Sequence, residues 1–70
     1  MNLRYAKKLH NRDQVFVRSA QQRGIVLCEP AHVARRRAPG ATRWTPGAVL
    51  LDVLLDDGTF LRGISHTEVA

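Results

Sequence analysis

The side chains best equipped for chemistry in this 70-residue chain are Arg35-Arg36-Arg37 and, six residues on, Arg43-Trp44. Guanidinium groups pair bidentately with phosphates and carboxylates, and an indole stacks on a nucleobase or on an arginine. Lys7 and Lys8, with Arg4 and Arg12, could extend the same positive field from the N-terminal side, although residue order does not say whether the two patches share a face. Arg35, Arg36, Arg37, Arg43, Trp44, Lys7 and Lys8 are therefore the candidate residues for binding an anionic partner, with an affinity that declines as salt rises. The competing reading makes the arginines a solvated loop tip and Trp44 a pin holding that loop against the rest of the fold.

Other constellations are weaker. Cys28, His10, His32 and His66 are borderline or soft ligands, but the Cys-x₃-His spacing of Cys28 and His32 occurs once only, whereas structural zinc sites use paired spacings. Cys28 falls inside an apolar run and reads as a buried, unreactive thiol, and the histidines fall in polar segments. No order of residues places a nucleophile, a base and an orienting group together, so neither an enzyme nor a metal or other cofactor is expected. Asp56 and Asp57 directly precede Gly58 and read as turn residues rather than a carboxylate pair. Asp52 interrupts an apolar strand and should lie opposite Val49, Leu51, Val53 and Leu55, most simply facing solvent, or else on a contact face shared with Leu50 and Leu54. Such a face, two leucines around an acid, could be buried in a homo-oligomer.

Seventy residues leave room for one core, so residues 1–70 are expected to form a single domain. The lone cysteine excludes an internal disulfide framework and fits a reducing compartment, which makes the cytoplasm the expected location. The longest uninterrupted apolar stretch, Ala48 to Leu51, is far below the roughly 20 residues of a membrane span, so no membrane role is expected. Eleven Lys and Arg stand against six Asp and Glu, and they are unevenly placed. Residues 1–47 hold ten basic side chains against Asp13 and Glu29, a net of +8, while residues 48–70 hold Arg62 against four acids, a net of −3. The basic part suits nucleic acid or an acidic protein surface; the acidic end suits head-to-tail contacts.

The elements that must position these groups are mostly β. Gln14 to Arg18 alternates around Val15 and Val17 and predicts a first strand. Gly24 to Glu29, stopped by Pro30, predicts a second. From 30 to 47 the chain holds all three prolines and no sustained apolar period, which predicts a long Arg-rich loop between strands two and three. In 48–55, Val49, Leu51, Val53 and Leu55 alternate as a strand requires; Thr45-Pro46 could instead open a short helix, and the strand is favoured. Asp56-Asp57-Gly58 predicts a type I′ hairpin turn into a fourth strand at Thr59 to Arg62. Gly63 to Glu68 reads as a tight or 3₁₀ turn returning the last residues to the sheet edge. Leu3 to His10 fits either a helical turn capped by Asn2 or a strand with Tyr5 and Leu9 on one face.

This order resembles an SH3-like small β-barrel over about residues 9–69. Asp13-Gln14-Val15-Phe16-Val17, Gly24-Ile25-Val26 and Val53-Leu54-Leu55-Asp56-Asp57-Gly58-Thr59-Phe60 are similar to patterns in Tudor, Agenet and KOW-type barrels. They are also similar to small uncharacterised proteins of phages and mobile elements, whose ends look like His66-Thr67-Glu68-Val69. The resemblance implies a single mostly-β barrel of about five strands. A Tudor-type aromatic cage would need three of Tyr5, Phe16, Trp44 and Phe60 to converge, and Phe16 and Phe60 read as core or edge-packing residues. The Val-Gln-Ile-Tyr signature of plasmid-type dihydrofolate reductases does not occur. The expectation is a non-enzymatic binding module, an accessory protein of phage or mobile-element type, contacting nucleic acid or an acidic protein through its basic loop. The alternative is an oligomeric scaffold assembling through an apolar strand face.

Overall fold

The computed structural model describes residues 1–70 and is mostly β. In chain order it comprises a helical turn α1 (Leu3–Ala6), strands β1 (Gln14–Val17), β2 (Gln22–Val26), β3 (Ala31–Val33), β4 (Ala48–Leu55) and β5 (Phe60–Ser65), and a 3₁₀ turn (His66–Glu68). The open choice at the N-terminus resolves to the helical turn, because the Asn2 side chain accepts from the Tyr5 N–H at 3.0 Å.

The strands form one antiparallel sheet ordered β1-β2-β4-β3, with β5 also on β4. The strand expected at 48–55 is its centre. β2 pairs with Val53 to Leu55, β3 with Ala48 to Leu50, and β5 runs along the opposite edge of β4 from Leu50 to Leu54. The alternation seen in the sequence becomes the core: Val49, Leu51, Val53 and Leu55 are buried with Val15, Val17, Val26, Ala6 and Val69. Where the β5 ladder stops at Ser65, the imidazole of His66 takes over, its Nδ1 accepting from the Val49 N–H at 3.3 Å. His66 is thus a buried structural residue, not one of a scattered polar set.

Several expected boundaries shift. β2 begins at Gln22 and ends at Val26, so Cys28 lies beyond the strand and is exposed rather than buried. The chain turns out of the sheet there, and the Glu29 carboxylate reaches back to the Asn11 N–H and the His10 imidazole, at 3.3 and 3.2 Å. Phe16 and Phe60 are exposed rather than packed, because each alternates with buried or half-buried neighbours on its strand.

The hairpin turn forms where expected with different chemistry. A type I′ turn needs positive φ at both central residues, but only Gly58 has it, at +90°. The Gly58 N–H donates to the Leu55 carbonyl at 2.9 Å and the Leu55 N–H to the Thr59 carbonyl at 2.8 Å, the pattern of a three-residue loop with a left-handed glycine. Asp57 stays in ordinary backbone space because its carboxylate is engaged, accepting from the Thr59 N–H at 2.9 Å and the Gln22 amide at 3.0 Å. The next segment continues as strand to Ser65 instead of turning at Gly63. It does so through a bulge in which Arg62 and Gly63 oppose Asp52, with Gly63 at φ +63° and its N–H donating to Asp52 Oδ1 at 2.8 Å. Asp52 therefore lies opposite the buried face, as the alternation requires, and anchors that bulge.

The segment 30–47 is not all loop. Ala31 to Val33 pairs with Leu50 to Ala48, and three residues further out Arg36 pairs with Thr45 in the same register. The two ends of the segment thus run antiparallel as an arm. The radius of gyration, 13.2 Å, exceeds the roughly 11 Å of a compact chain this long, and the long axis is 45 Å against 21 and 17 Å.

Two outcomes follow from the packing. A Cβ on Gly24 would overlap Val53 Cγ1 and lie 2.9 Å from the Leu54 carbonyl oxygen. Gly24→Ala should cost about 1–3 kcal/mol, read by thermal unfolding as a fall in Tm of roughly 4–8 °C per kcal/mol. The amide of Gln22, and then the Thr59 N–H, hold the Asp57 carboxyl below its ordinary 3.8. A carboxyl depressed on folding contributes stability that is fully present above that ordinary value and disappears as pH falls through the folded-state value. Asp57→Asn should therefore flatten the acid limb of the Tm-against-pH profile; an unchanged limb would show that Asp57 contributes nothing.

Candidate nucleic-acid or acidic-protein interface

The arm is where the candidate residues gather. Pro39-Gly40 turns it: the Ala41 N–H donates to the Ala38 carbonyl at 3.0 Å and Gly40 sits at φ +79°, the backbone that Pro at the second and Gly at the third position of a type II turn favour. Below the turn, Arg36 and Thr45 exchange two backbone hydrogen bonds, 3.1 and 2.6 Å. Pro46, lacking an N–H, separates this bridge from the β3–β4 ladder. Gly47 allows the root to close, since a Cβ there would come 3.0 Å from the Val33 carbonyl oxygen and 3.3 Å from the Arg35 nitrogen.

Trp44 does not pin the arm to the core. Its ring is half-exposed and lies outside the buried cluster, with the guanidinium of Arg35 4.5 Å and that of Arg37 5.2 Å from its centroid. Such contacts contribute about 0.5–1 kcal/mol each at exposed sites and, more usefully here, hold a planar cation in a defined orientation while leaving its N–H edges free. Arg36, paired with Thr45, lies on the opposite face of the arm by strand alternation. Arg43 precedes Trp44 by one residue and is exposed.

The N-terminal cations divide. Lys7 joins the arm: it lines an open cavity of about 520 Å³ at the arm's root together with Leu3, His32, Val33, Arg35 and Gly47. The turn after α1 and the arm thus bring Lys7 and Arg35 to one cavity. Lys8 instead stands over the ring of Tyr5, 5.8 Å from its centroid. His32 is the member missed in the sequence; it sits on β3, a strand too short to show a period.

The electrostatics of the arm are one-sided. Residues 30–51 contain no Asp or Glu. The one ion pair of the fold is His10 with Glu29, so none of the eleven Lys and Arg is neutralised by a carboxylate at contact distance. Cys28, His10, His32 and His66 do not converge: Cys28 is exposed past β2, His10 lies on Glu29, His32 in the root cavity and His66 behind Val49. No helix is long and apolar enough to cross a membrane.

A second surface is apolar. Ile25, Leu54 and Phe60 are consecutive cross-strand partners on β2, β4 and β5, and all three are exposed, as are Phe16 on β1 and Leu27 just past the end of β2.

No protein-family model, curated protein or solved structure matches this chain.

Proposed function

We propose that this chain is a non-enzymatic binding module in which a small SH3-like barrel carries a cationic arm that engages an anionic partner, nucleic acid or an acidic protein surface. The observation that carries the reading is the arm itself. Sixteen residues from Ala31 to Pro46 include four arginines and no acid, and contribute nothing to the buried cluster. A segment that contributes nothing to the core and concentrates unpaired charge is explained by what it contacts, because like charges close together only destabilise the free protein.

Closure of the sheet into a barrel is supported by the residues after β5. Val69 bridges Val17, the Arg18 N–H donates to the Glu68 carbonyl at 2.8 Å, and the Ala70 N–H donates to the Phe16 carbonyl at 2.9 Å. These bonds tie the C-terminal residues to β1, the strand at the far margin of the sheet. A role as a cytoplasmic accessory protein of a phage or mobile element agrees with the small size and the single cysteine.

The exposed row Ile25, Leu54 and Phe60 supports a second reading, self-assembly through that sheet face into a scaffold. Solvent-exposed apolar positions in directly paired register are what an isologous dimer would bury.

Titration of fluorescent polyanions at low and physiological salt tests the first reading. Binding should weaken steeply with salt and vanish when Arg35, Arg36 and Arg37 are all replaced by Ala, while the Tm of that variant stays within about a degree because the arm lies outside the core. Light scattering tests the second: Phe60→Glu should convert an assembled species to monomer, and a wild-type chain monomeric at high concentration would dismiss it.

A further inference from the structure

Cations occupy both faces of the arm. Arg35 and Arg37 share one with Trp44, as their distances to its ring show. Arg36, between them and bridged to Thr45, belongs to the other, while Arg43 lies in the bend before Trp44 and is exposed. A ribbon laid flat on a charged surface uses one face only, and cations on its far side are screened by salt beyond about 8–10 Å. Both sets are used only where negative charge flanks the arm on two sides.

We propose that residues 34–47 insert as a two-stranded ribbon, edge-on, into the major groove of duplex DNA, with one arginine face toward each phosphate wall. This rests on the reading of the arm as the binding element. The dimensions choose among grooves. The B-form major groove, about 12 Å wide, admits a two-stranded ribbon, whereas the minor groove, about 6 Å wide, does so only after deformation. The major groove of A-form RNA is deep and narrow, which disfavours it. An acidic protein surface is convex or flat in general and would leave one arginine face unused. At the root, Lys7 reaches the same cavity as Arg35 from a different element, placing one further donor at the groove rim. The stacking of Arg35 and Arg37 on Trp44 fixes their guanidinium planes before contact, so less rotamer freedom is lost on binding.

The test is fluorescence anisotropy with a mixed-sequence DNA duplex, a single strand of the same length and polyglutamate, each at 50 and 200 mM salt. Wild type should prefer the duplex at both salts. Contacts from four arm arginines and Lys7 imply a log–log salt slope of about −4 to −5, a loss of several hundredfold across that range. Arg36→Ala and Arg37→Ala, on opposite faces, should each weaken duplex binding by about five- to tenfold and reduce the slope by about 1. Arg62→Ala on β5 should change it less than twofold. Arg36→Gln and Arg37→Gln, with Tm recorded, guard against a folding effect in the alanine variants. A major-groove dye should compete with the protein, and a minor-groove ligand should not. Insertion is overturned if only one of Arg36 and Arg37 matters, if the minor-groove ligand displaces the protein, or if single strand or polyglutamate binds as well as duplex. In those cases the arm remains the binding element; failure to bind any of the three polymers would overturn that reading as well.

Discussion

The structure depends on β4. Its eight residues supply four buried side chains, Val49, Leu51, Val53 and Leu55, and it is paired along one edge by β2 and β3 and along the other by β5. In a chain this small the apolar surface removed from water is limited, so one strand that fills the core and templates three others concentrates much of the available stabilisation. The neighbours adapt to it. β2 approaches so closely that only glycine fits opposite Leu55, β5 accommodates the twist through a bulge held by the Asp52 carboxylate, and the His66 imidazole satisfies the Val49 N–H where β5 ends.

The same strand separates the folding part of the molecule from its charged part. The first half of β4 is the second limb of the hairpin whose first limb is β3, and past Pro46 that hairpin leaves the core. The arm is thus anchored on the best-buried strand while its own residues remain in solvent. Rigid support under an exposed, chemically biased segment is the usual arrangement of a recognition element. It also means that arm substitutions can be read as binding effects with little contribution from stability.

The polar residues at the turns and strand ends are largely structural. Asp52 and Asp57 hold a bulge and a turn, His66 caps a ladder, and Glu29 ties the chain after β2 to the His10–Asn11 backbone and side chain. Each carboxylate or imidazole satisfies backbone N–H groups that irregular strand geometry would otherwise leave without a partner. The arginines have no such occupation, and that contrast singles out the arm.

By itself the sequence determined what period and punctuation can carry. The alternation in 48–55 and 14–17 identified the core face, because a strand's side chains must point to opposite sides. Asp56-Asp57-Gly58 located a hairpin, and the residue inventory located the charge. The tertiary structure decided what depends on partners distant in the chain. β3 is three residues long and shows no period, so only its pairing with β4 defines it, and with it the arm. Cys28, inside an apolar run, is exposed because the strand ends two residues before it. Phe16 and Phe60 face outward because a five-stranded sheet of this size has one buried face and too few elements to cover the other. Lys7 and Arg35 line one cavity only because α1 packs beside the arm's root, and the placing of Arg36 on the face opposite Arg35 and Arg37 follows from one backbone bridge, Arg36 with Thr45, that pairs residues across a turn.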